Sequence, residues 1–488
     1  MHKVVLIGLD GFRPELMSAA LTPNLLALAE SGVRFTHHRS VFPSETYVNV
    51  ASIMTGSAPG HHGIIANEFL EPRINRREPW IGSRLDMVEA GLAALDGAMI
   101  TMPTLGDILA AVGKRLWVLS GNSPGSARLK HPGVTASPGH LLLIGRDWPA
   151  SLPAGVAARI ASRLGAPPKL GETEADRGIQ RYLTEAFLLL AAEEPLPDVS
   201  VVWYGEPDHA FHTFGLGAEP TRTTLKAIDR ELGRLLDWWH GHPEYERIQL
   251  VVTSDHGHIT QTRRVDTEEL LAEAGFRVGR HLEDGAELAL VPGYAGNIRA
   301  RNGDASLIAA AVQALMDHGD IGIVFTAGDD PVEGRVPGAF SHSAIMATHE
   351  RSPDIVFTLG ADDAEDPFGF VGTCRFDNAL PAGVGYHGGL HPAEMAPLLL
   401  AAGSAFGAGI ASAAPSSVAD LLPTILAVLD VPRTGVPGRV LSEAFAIPVS
   451  PPDAAPEILQ VSNGAYAQQL HITRLGDRTY LDHGVRVS

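Results

Sequence analysis

The chain has 488 residues, 45% of them hydrophobic and 19% charged, which suits a large globular core with insertions. No stretch approaches the run of about 18 apolar residues that a membrane helix needs, and a formal charge of −19 excludes a protein that grips long nucleic acid through phosphate contacts. Cys374 is the only cysteine, and the start runs directly into Lys3-Val4-Val5-Leu6-Ile7, so no internal disulfide can form, no secretory leader is expected and the cytoplasm is the expected location.

Val4–Leu9 is a continuous apolar run ending in Asp10-Gly11, the pattern of a strand buried on both faces of a parallel sheet. Thr22-Pro23 supplies an N-cap and an N1 proline for a helix through Ser31, which Gly32 stops. Thr46 follows Phe42-Pro43-Ser44-Glu45 and precedes a helical Val50–Thr55. A hydroxyl at a helix N-terminus meets unpaired N–H groups and the positive end of the dipole, which favours an alkoxide and phosphate oxygens and equally explains an ordinary cap. Asn67, after Gly63-Ile64-Ile65-Ala66, offers an amide to a phosphoryl oxygen or to a turn. Glu68–Met102 reads as irregular and charge-rich. Further apolar runs lie at Leu116–Ser120, Val199–Tyr204, Ile248–Thr253, Ile355–Leu359 and Pro397–Ala401, with helical patterns at Thr104–Val112, Arg181–Glu193 and Thr223–Trp239. This alternation predicts an α/β fold, a mostly parallel central sheet flanked by helices.

Ligands in such sheets bind beyond the carboxyl ends of the strands, where Asp10, Asp208 and Asp255 fall. Asp208 and His212 stand one helical turn apart and can face one ion, whereas His209 points elsewhere. Asp255 and His256 leave their strand together, His258 reads as lying outside the direct ligands, and His387 stands among Gly385, Gly388 and Gly389. Three carboxylates, three imidazoles and one hydroxyl suit two divalent ions, and Asp/His ligation favours zinc. Two such ions against three aspartates leave the pocket at about +1, so an acidic chain can still attract a phosphate. Residues 259–386 carry an alternation of their own, with helices near Thr267–Ala274 and Ala305–Met316 and strands near Glu287–Val291 and Ile321–Phe325. They read as a cap subdomain inserted into a metal-binding core of residues 1–258 and 387–445. The proline-rich Pro451–Pro456 leads to an appendage at 457–488.

In this order and spacing the segments resemble the alkaline phosphatase superfamily, and within it the nucleotide pyrophosphatase/phosphodiesterase branch. The resemblance rests on Ile7-Gly8-Leu9-Asp10-Gly11, Phe42-Pro43 before Thr46, Thr55-Gly56 with His62-Gly63-Ile64 and Asn67, and Pro207-Asp208 with His212. It continues through Ser254-Asp255-His256-Gly257, His387-Gly388 and Asp420-Leu421-Leu422-Pro423-Thr424, and spans Val4 to Leu441. It implies an alkaline phosphatase-like fold with one zinc on Asp208, His212 and His387 and a second on Asp10, Asp255 and His256, Thr46 being the nucleophilic ligand of the second. Asn67 and the Thr46 backbone N–H would hold a phosphoryl oxygen. The implied activity is hydrolysis of phosphodiester or phosphoanhydride bonds in a small phosphorylated substrate, through a phosphothreonine intermediate, between ions about 3.5–4 Å apart. No membrane or nucleic-acid polymer takes part, and oligomeric state leaves no mark in the sequence. Phe211, Glu45 and Val48 depart from the branch and bear on nucleotide specificity. A carbon–phosphorus hydrolase resembling phosphonoacetate hydrolase is the alternative, with much the same metal site. It needs lysines after Leu116–Ser120 for the substrate carboxylate, where Gly121-Asn122-Ser123 has none and Lys130 is the nearest. An inactive, metal-stabilised binding protein is the reading from another class, although all seven ligand positions hold competent residues.

Overall fold

Eight strands form the central sheet, in spatial order Ile410–Ser412, Val33–Phe35, Leu399–Ala402, Ile248–Thr253, Lys3–Leu9, Val199–Tyr204, Leu116–Ser120 and Leu141–Ile144. The computed structural model describes residues 2–169 and 176–488. Lys3–Leu9 lies inside the sheet and is parallel to both neighbours, with Ile7 opposite Val202 on one side and Val252 on the other. Its side chains alternate between two cores, which is why the strand is apolar without a polar face. Val4 and Leu6 pack with Val50, Met54 and Leu422, whereas Val5 and Ile7 pack with Leu183, Phe187 and Leu232. The fold is α/β with a mixed sheet: Leu399–Ala402 runs antiparallel to Ile248–Thr253 and to Val33–Phe35. The apolar run at Pro397–Ala401 signals burial, and burial carries no information on strand direction.

Ile355–Leu359 belongs to a different sheet. Between Ile259 and Tyr386 the chain forms a four-stranded sheet and a six-stranded sheet, separate from the central one. The helix Ala305–Asp317 lays Ile308, Val312 and Leu315 against Ile298, Ile355 and Phe357 in a third core. The C-terminal strands Ala454–Asn463, Tyr466–Leu475 and Arg478–Arg486 form an antiparallel meander. Its Leu470, Ile472 and Leu481 pack on Ile323 and Phe325, and the Gln468 amide bonds both the N–H (2.9 Å) and the carbonyl (3.0 Å) of Val324.

Glu68–Met102 is more regular than its composition suggests. It holds a short hairpin, Glu68–Phe69 with Trp80–Ile81, and a helix, Leu85–Ala94, whose Met87, Val88 and Gly91 are buried. It is also pinned to residues 259–386: Asn297 Nδ2 donates to Glu68 O (3.0 Å), Arg299 Nε to Leu70 O (3.0 Å) and Arg351 Nη1 to Met99 O (2.6 Å). Among the described residues no helix is long and apolar enough to cross a membrane.

Candidate metal centre

The parallel strands deliver their carboxylates at one edge of the sheet. Asp10 follows Leu9; its N–H donates to Tyr204 O and its carbonyl accepts the Asp208 N–H, each at 3.1 Å, so the two aspartates leave adjacent strands side by side. Asp255 leaves the strand on the other flank, and its Oδ1 accepts the Gly11 N–H at 3.1 Å. The helix Asp208–Phe214 carries Asp208 and His212 on one side. His387 follows Gly385–Tyr386, a short strand that pairs with Ile259-Thr260 just past His256. Thr46 is the first residue of the helix Thr46–Thr55, which therefore starts earlier than the apolar pattern from Val50 suggested, and its Oγ1 lies 3.1 Å from His256 Nε2.

Two donor sets result, Asp10 with Asp255 and His256, and Asp208 with His212, His258 and His387, each with one ligand atom per residue within 4.8 Å of the others. His256 Nε2 lies 3.6 Å from both Asp10 Oδ1 and Asp255 Oδ2. Asp208 Oδ1 lies 3.3 Å from His212 Nε2, 3.2 Å from His258 Nε2 and 3.5 Å from His387 Nε2. The rings of His256 and His387 stack at 3.6 Å, which sets the two groups side by side. All seven residues singled out as ligands gather here. His258, read from the sequence as outside the ligands, joins them; its signal was a second histidine two residues beyond His256.

The chemistry of these atoms fits divalent cations. Asp10 Oδ1, Asp208 Oδ1, Asp255 Oδ2 and His258 Nε2 are buried with no hydrogen-bond partner among the described residues. Lone pairs left facing one another in a buried site are costly without a cation between them. The other ring nitrogen of each imidazole faces a backbone carbonyl: His212 Nδ1 and Gly385 O (2.8 Å), His256 and Gly257 O (3.0 Å), His258 and Gly11 O (3.2 Å), His387 and Ser44 O (2.8 Å). A carbonyl only accepts, so Nδ1 carries the proton and Nε2 turns a lone pair inward, the tautomer of a metal ligand. Burial, reinforced by the neighbouring aspartates, pushes Asp10 up to about 8 and Asp255 up to about 7. Burial pushes His258 down to about 3 and His387 well below the imidazole range. At Asp208 burial pulls upward, but His212 and His258 together outweigh it and hold the carboxyl well below its usual range. Left to itself most of the cluster favours its neutral forms, and positive charge would reverse that preference.

The surroundings position these groups. Asp10 Oδ2 accepts from Trp203 Nε1 (3.2 Å) and from the Asn122 amide. Lys130 is wholly buried; its Nζ donates to Asn122 Oδ1 (3.3 Å) and Ser126 Oγ (3.0 Å) and lies over the Trp203 ring. Burial lowers it to about 8 against the pull of Asp10 and Asp255. Lys130 thus supports the residues behind Asp10, which leaves the carbon–phosphorus alternative, needing a lysine for the substrate carboxylate, without support. Asn67 Oδ1 accepts the Tyr47 N–H (3.0 Å), so its Nδ2 hydrogens are directed away from the helix, and the Asn67 N–H donates to the Glu45 carboxylate. Burial pushes Glu45 up to about 8. Behind His387, Ser44 Oγ donates to Gly389 O (2.9 Å) and accepts the Gly388 N–H (3.1 Å), and Glu394 accepts the Gly389 N–H (2.9 Å) and the Tyr294 hydroxyl (2.9 Å). His209 turns away to Glu206, 3.4 Å from its Oε1.

The strand ends of a mixed α/β sheet thus gather two donor sets, and comparison with known proteins supplies the family. Residues 4–363 match the family described as Type I phosphodiesterase / nucleotide pyrophosphatase, and the chain belongs to that family. Mouse ectonucleotide pyrophosphatase/phosphodiesterase family member 7 is 25% identical over 265 residues, 54% of this chain and 51% of the relative. An uncharacterized pyrophosphatase/phosphodiesterase of Schizosaccharomyces pombe is 45% identical over 69 residues, 14% of each chain. The chain therefore spans at most about half the length of these curated relatives. Among solved structures, an inactive variant of murine ectonucleotide pyrophosphatase / phosphodiesterase 5 in complex with AMP superposes with a TM-score of 0.64, covering 91% of this chain and all of its own at 18% identity. That likeness concerns the fold.

Proposed function

We propose that the protein hydrolyses phosphodiester or phosphoanhydride bonds of a small phosphorylated substrate, with Thr46 as nucleophile and two divalent ions, zinc by ligand type, as cofactors. One ion would be held by Asp10, Asp255, His256 and Thr46, the other by Asp208, His212 and His387. The observation that carries this reading is Thr46 Oγ1 at 3.1 Å from His256 Nε2, beside Asp10 and Asp255 and at the start of a helix.

When bound, the ions would supply Lewis-acid charge that lowers the pKa of the Thr46 hydroxyl and stabilises negative charge on the attacking and departing oxygens. The residues of the chain do the rest. Thr46 Oγ1 gives up its proton and bonds to phosphorus as the bond to the departing alcohol or phosphate breaks, leaving phosphothreonine and a leaving group that takes up a proton. Water then attacks the same phosphorus as the Thr46 Oγ1–P bond breaks, releasing the phosphoryl product and returning a proton to Oγ1. Asn67 Nδ2 would donate to a non-bridging phosphoryl oxygen, its orientation fixed by the Tyr47 N–H on Oδ1. The N-terminus of the helix Thr46–Thr55 adds the positive end of its dipole.

Residues 259–386 would act as a cap on a core of residues 1–258 and 387–445, with 457–488 as an appendage to that cap. Their bonds to Glu68, Leu70 and Met99 support one continuous wall beside the site in which substrate choice resides. The AMP bound by the structural relative supports a nucleotide as the first substrate to try, and the single, buried Cys374 supports a cytoplasmic setting. A panel of bis-aryl phosphates, nucleotide pyrophosphates and phosphonoacetate tests the reading. Turnover of the first two is expected; turnover of phosphonoacetate alone would reverse it.

A further inference from the structure

His258 is the residue that the sequence pattern left out, and its surroundings give it a specific role. A tetrahedral ion with bonds of about 2.0–2.1 Å to N and O spaces its ligand atoms by about 3.3–3.4 Å. Asp208 Oδ1 has three imidazole nitrogens at 3.3, 3.2 and 3.5 Å, and the 3.2 Å contact is His258 Nε2. The three edges from Asp208 Oδ1 thus have tetrahedral length, the one to His258 as much as those to His212 and His387, and all four ligand atoms lie within 4.8 Å of one another. A hydrogen bond is the other way to explain a 3.2 Å contact with a carboxylate. The Gly11 carbonyl opposes it: Nδ1 faces that oxygen at 3.2 Å and carries the proton of the neutral ring, so Nε2 presents a lone pair to an oxygen that can only accept. Both Asp208 Oδ1 and His258 Nε2 are buried and unpartnered.

The seat of the ring is built to hold it in place. Gly11 has φ +68°, and a Cβ there would come within 2.5 Å of His258 Cε1; a Cβ on Gly385 would meet His258 Cδ2 at 3.2 Å. Phe211 packs its ring edge-on to His258 with centroids 4.9 Å apart. Two glycines make room for the imidazole and an aromatic ring closes the remaining side, so Nε2 stays directed at Asp208.

We propose that His258 is a fourth protein ligand of the ion held by Asp208, His212 and His387, the neighbouring ion being completed by Thr46. The proposal rests on the two-ion reading above. With four protein ligands that ion would take a substrate oxygen only by expanding to five-coordinate, and three imidazoles select for zinc over manganese.

The test uses the full chain stripped of metal, titrated with Co2+ while visible absorption is followed, and with Zn2+ against a competing chelator. The unaltered protein is expected to bind two ions, with the intense bands of four-coordinate cobalt. In His258→Gln and in the similarly sized His258→Met, one ion should bind more than about 100-fold more weakly, beyond the 10–100-fold usual for partners outside the coordination sphere. Those bands should weaken while the other ion is unchanged, and Asp208→Asn should affect the same ion. Two ions bound with unaltered affinity and spectrum in both His258 variants would overturn the proposal and leave the two-ion reading standing. A loss of 100-fold or less with bands of full intensity would also overturn it, since His258 would then act from outside the coordination sphere. An unaltered protein that binds fewer than two ions would bring down the two-ion reading itself.

Discussion

The two donor sets differ in how the chain builds them. Asp10, Asp255 and His256 are wholly buried and come from the ends of adjacent parallel strands, with the Asp10 carboxylate further held by Trp203 and Asn122. Asp208 and His212 come from a helix and stay 20% exposed, and His387 arrives only after the whole inserted region, guided by the pairing of Thr260 with Gly385. One set is therefore rigid and lies within the core, carboxylate-rich, and suited to harder ions as well as zinc. The other is imidazole-rich, partly exposed and depends on residues 259–386 folding correctly. Thr46, the proposed nucleophile, stands with the rigid set, where a misplacement of about 1 Å would cost most.

Separating Thr46 as nucleophile from Thr46 as ligand gives the largest effect. Thr46→Ala should lower kcat by about 10³-fold or more, as loss of a covalent nucleophile does, while metal content by atomic emission stays at the level of the unaltered protein. Full turnover in this variant would remove the nucleophile from the rigid set. Asn67→Ala leaves both sets intact and should lower kcat/KM by about 10²-fold, the scale for one lost donor to a developing charge. Unchanged steady-state kinetics would show that Asn67 serves its turn alone.

Much of this contrast is legible in the sequence, for physical reasons that also mark where legibility stops. Asp10, Asp208 and Asp255 follow uninterrupted apolar runs, and the ends of buried strands are where an α/β sheet places ligands. The runs say nothing of direction, so the antiparallel Leu399–Ala402 was invisible, and four-residue Leu141–Ile144 was too short to be distinguished from any other apolar stretch. The helix Leu85–Ala94 was masked by the charged residues around a narrow buried stripe. His258 was missed because local spacing cannot reveal that Gly11, far away in sequence, leaves room for its ring. Asn122 was noticed only as a residue that is not lysine; its bond to Asp10 reaches across the end of the intervening parallel strand Val199–Tyr204, which no local pattern displays.

Metal removal sharpens the comparison because the buried carboxylates of one set and His258 of the other respond to pH with opposite sign. Asp10 and Asp255 titrate near 8 and 7 in the metal-free fold, above the range of about 4 for an unfolded aspartate. The folded state then binds more protons than the unfolded one, and their contribution is lost as pH rises toward 8. His258, held near 3, is neutral in the fold where the unfolded imidazole is charged, so its contribution is lost as pH falls below about 6.5. Above about pH 6.5 His258 no longer contributes, while His212, pulled down by burial but held above the usual imidazole range by Asp208, loses its contribution with rising pH as the carboxylates do. The gap in Tm between loaded and chelated protein should widen between about pH 6.5 and 8 in differential scanning fluorimetry. Glu45 and Glu394, also raised by burial, titrate in both forms and cancel from the difference. A gap that narrows with rising pH would mean that the carboxylate-rich set is not where metal and protons compete.

The smallest effect tests whether the rigid set owes its order to what lies behind it. Asn122→Ala removes one donor from Asp10 Oδ2 and leaves Trp203 Nε1 at 3.2 Å on the same oxygen. Lys130 loses a partner too, but keeps Ser126 Oγ at 3.0 Å and the face of Trp203. Asp10 should stay in place yet rotate more freely, and the ion beside it should bind about 10-fold more weakly, the lower end for loss of a residue that only orients a ligand. The imidazole-rich set shares no hydrogen bond with Asn122, so its affinity should not move in a competition titration that resolves the two ions. Equal loosening of both would show that the two sets form one cooperative cluster, and that the division between a rigid and a dependent site is one of chain topology rather than of energy.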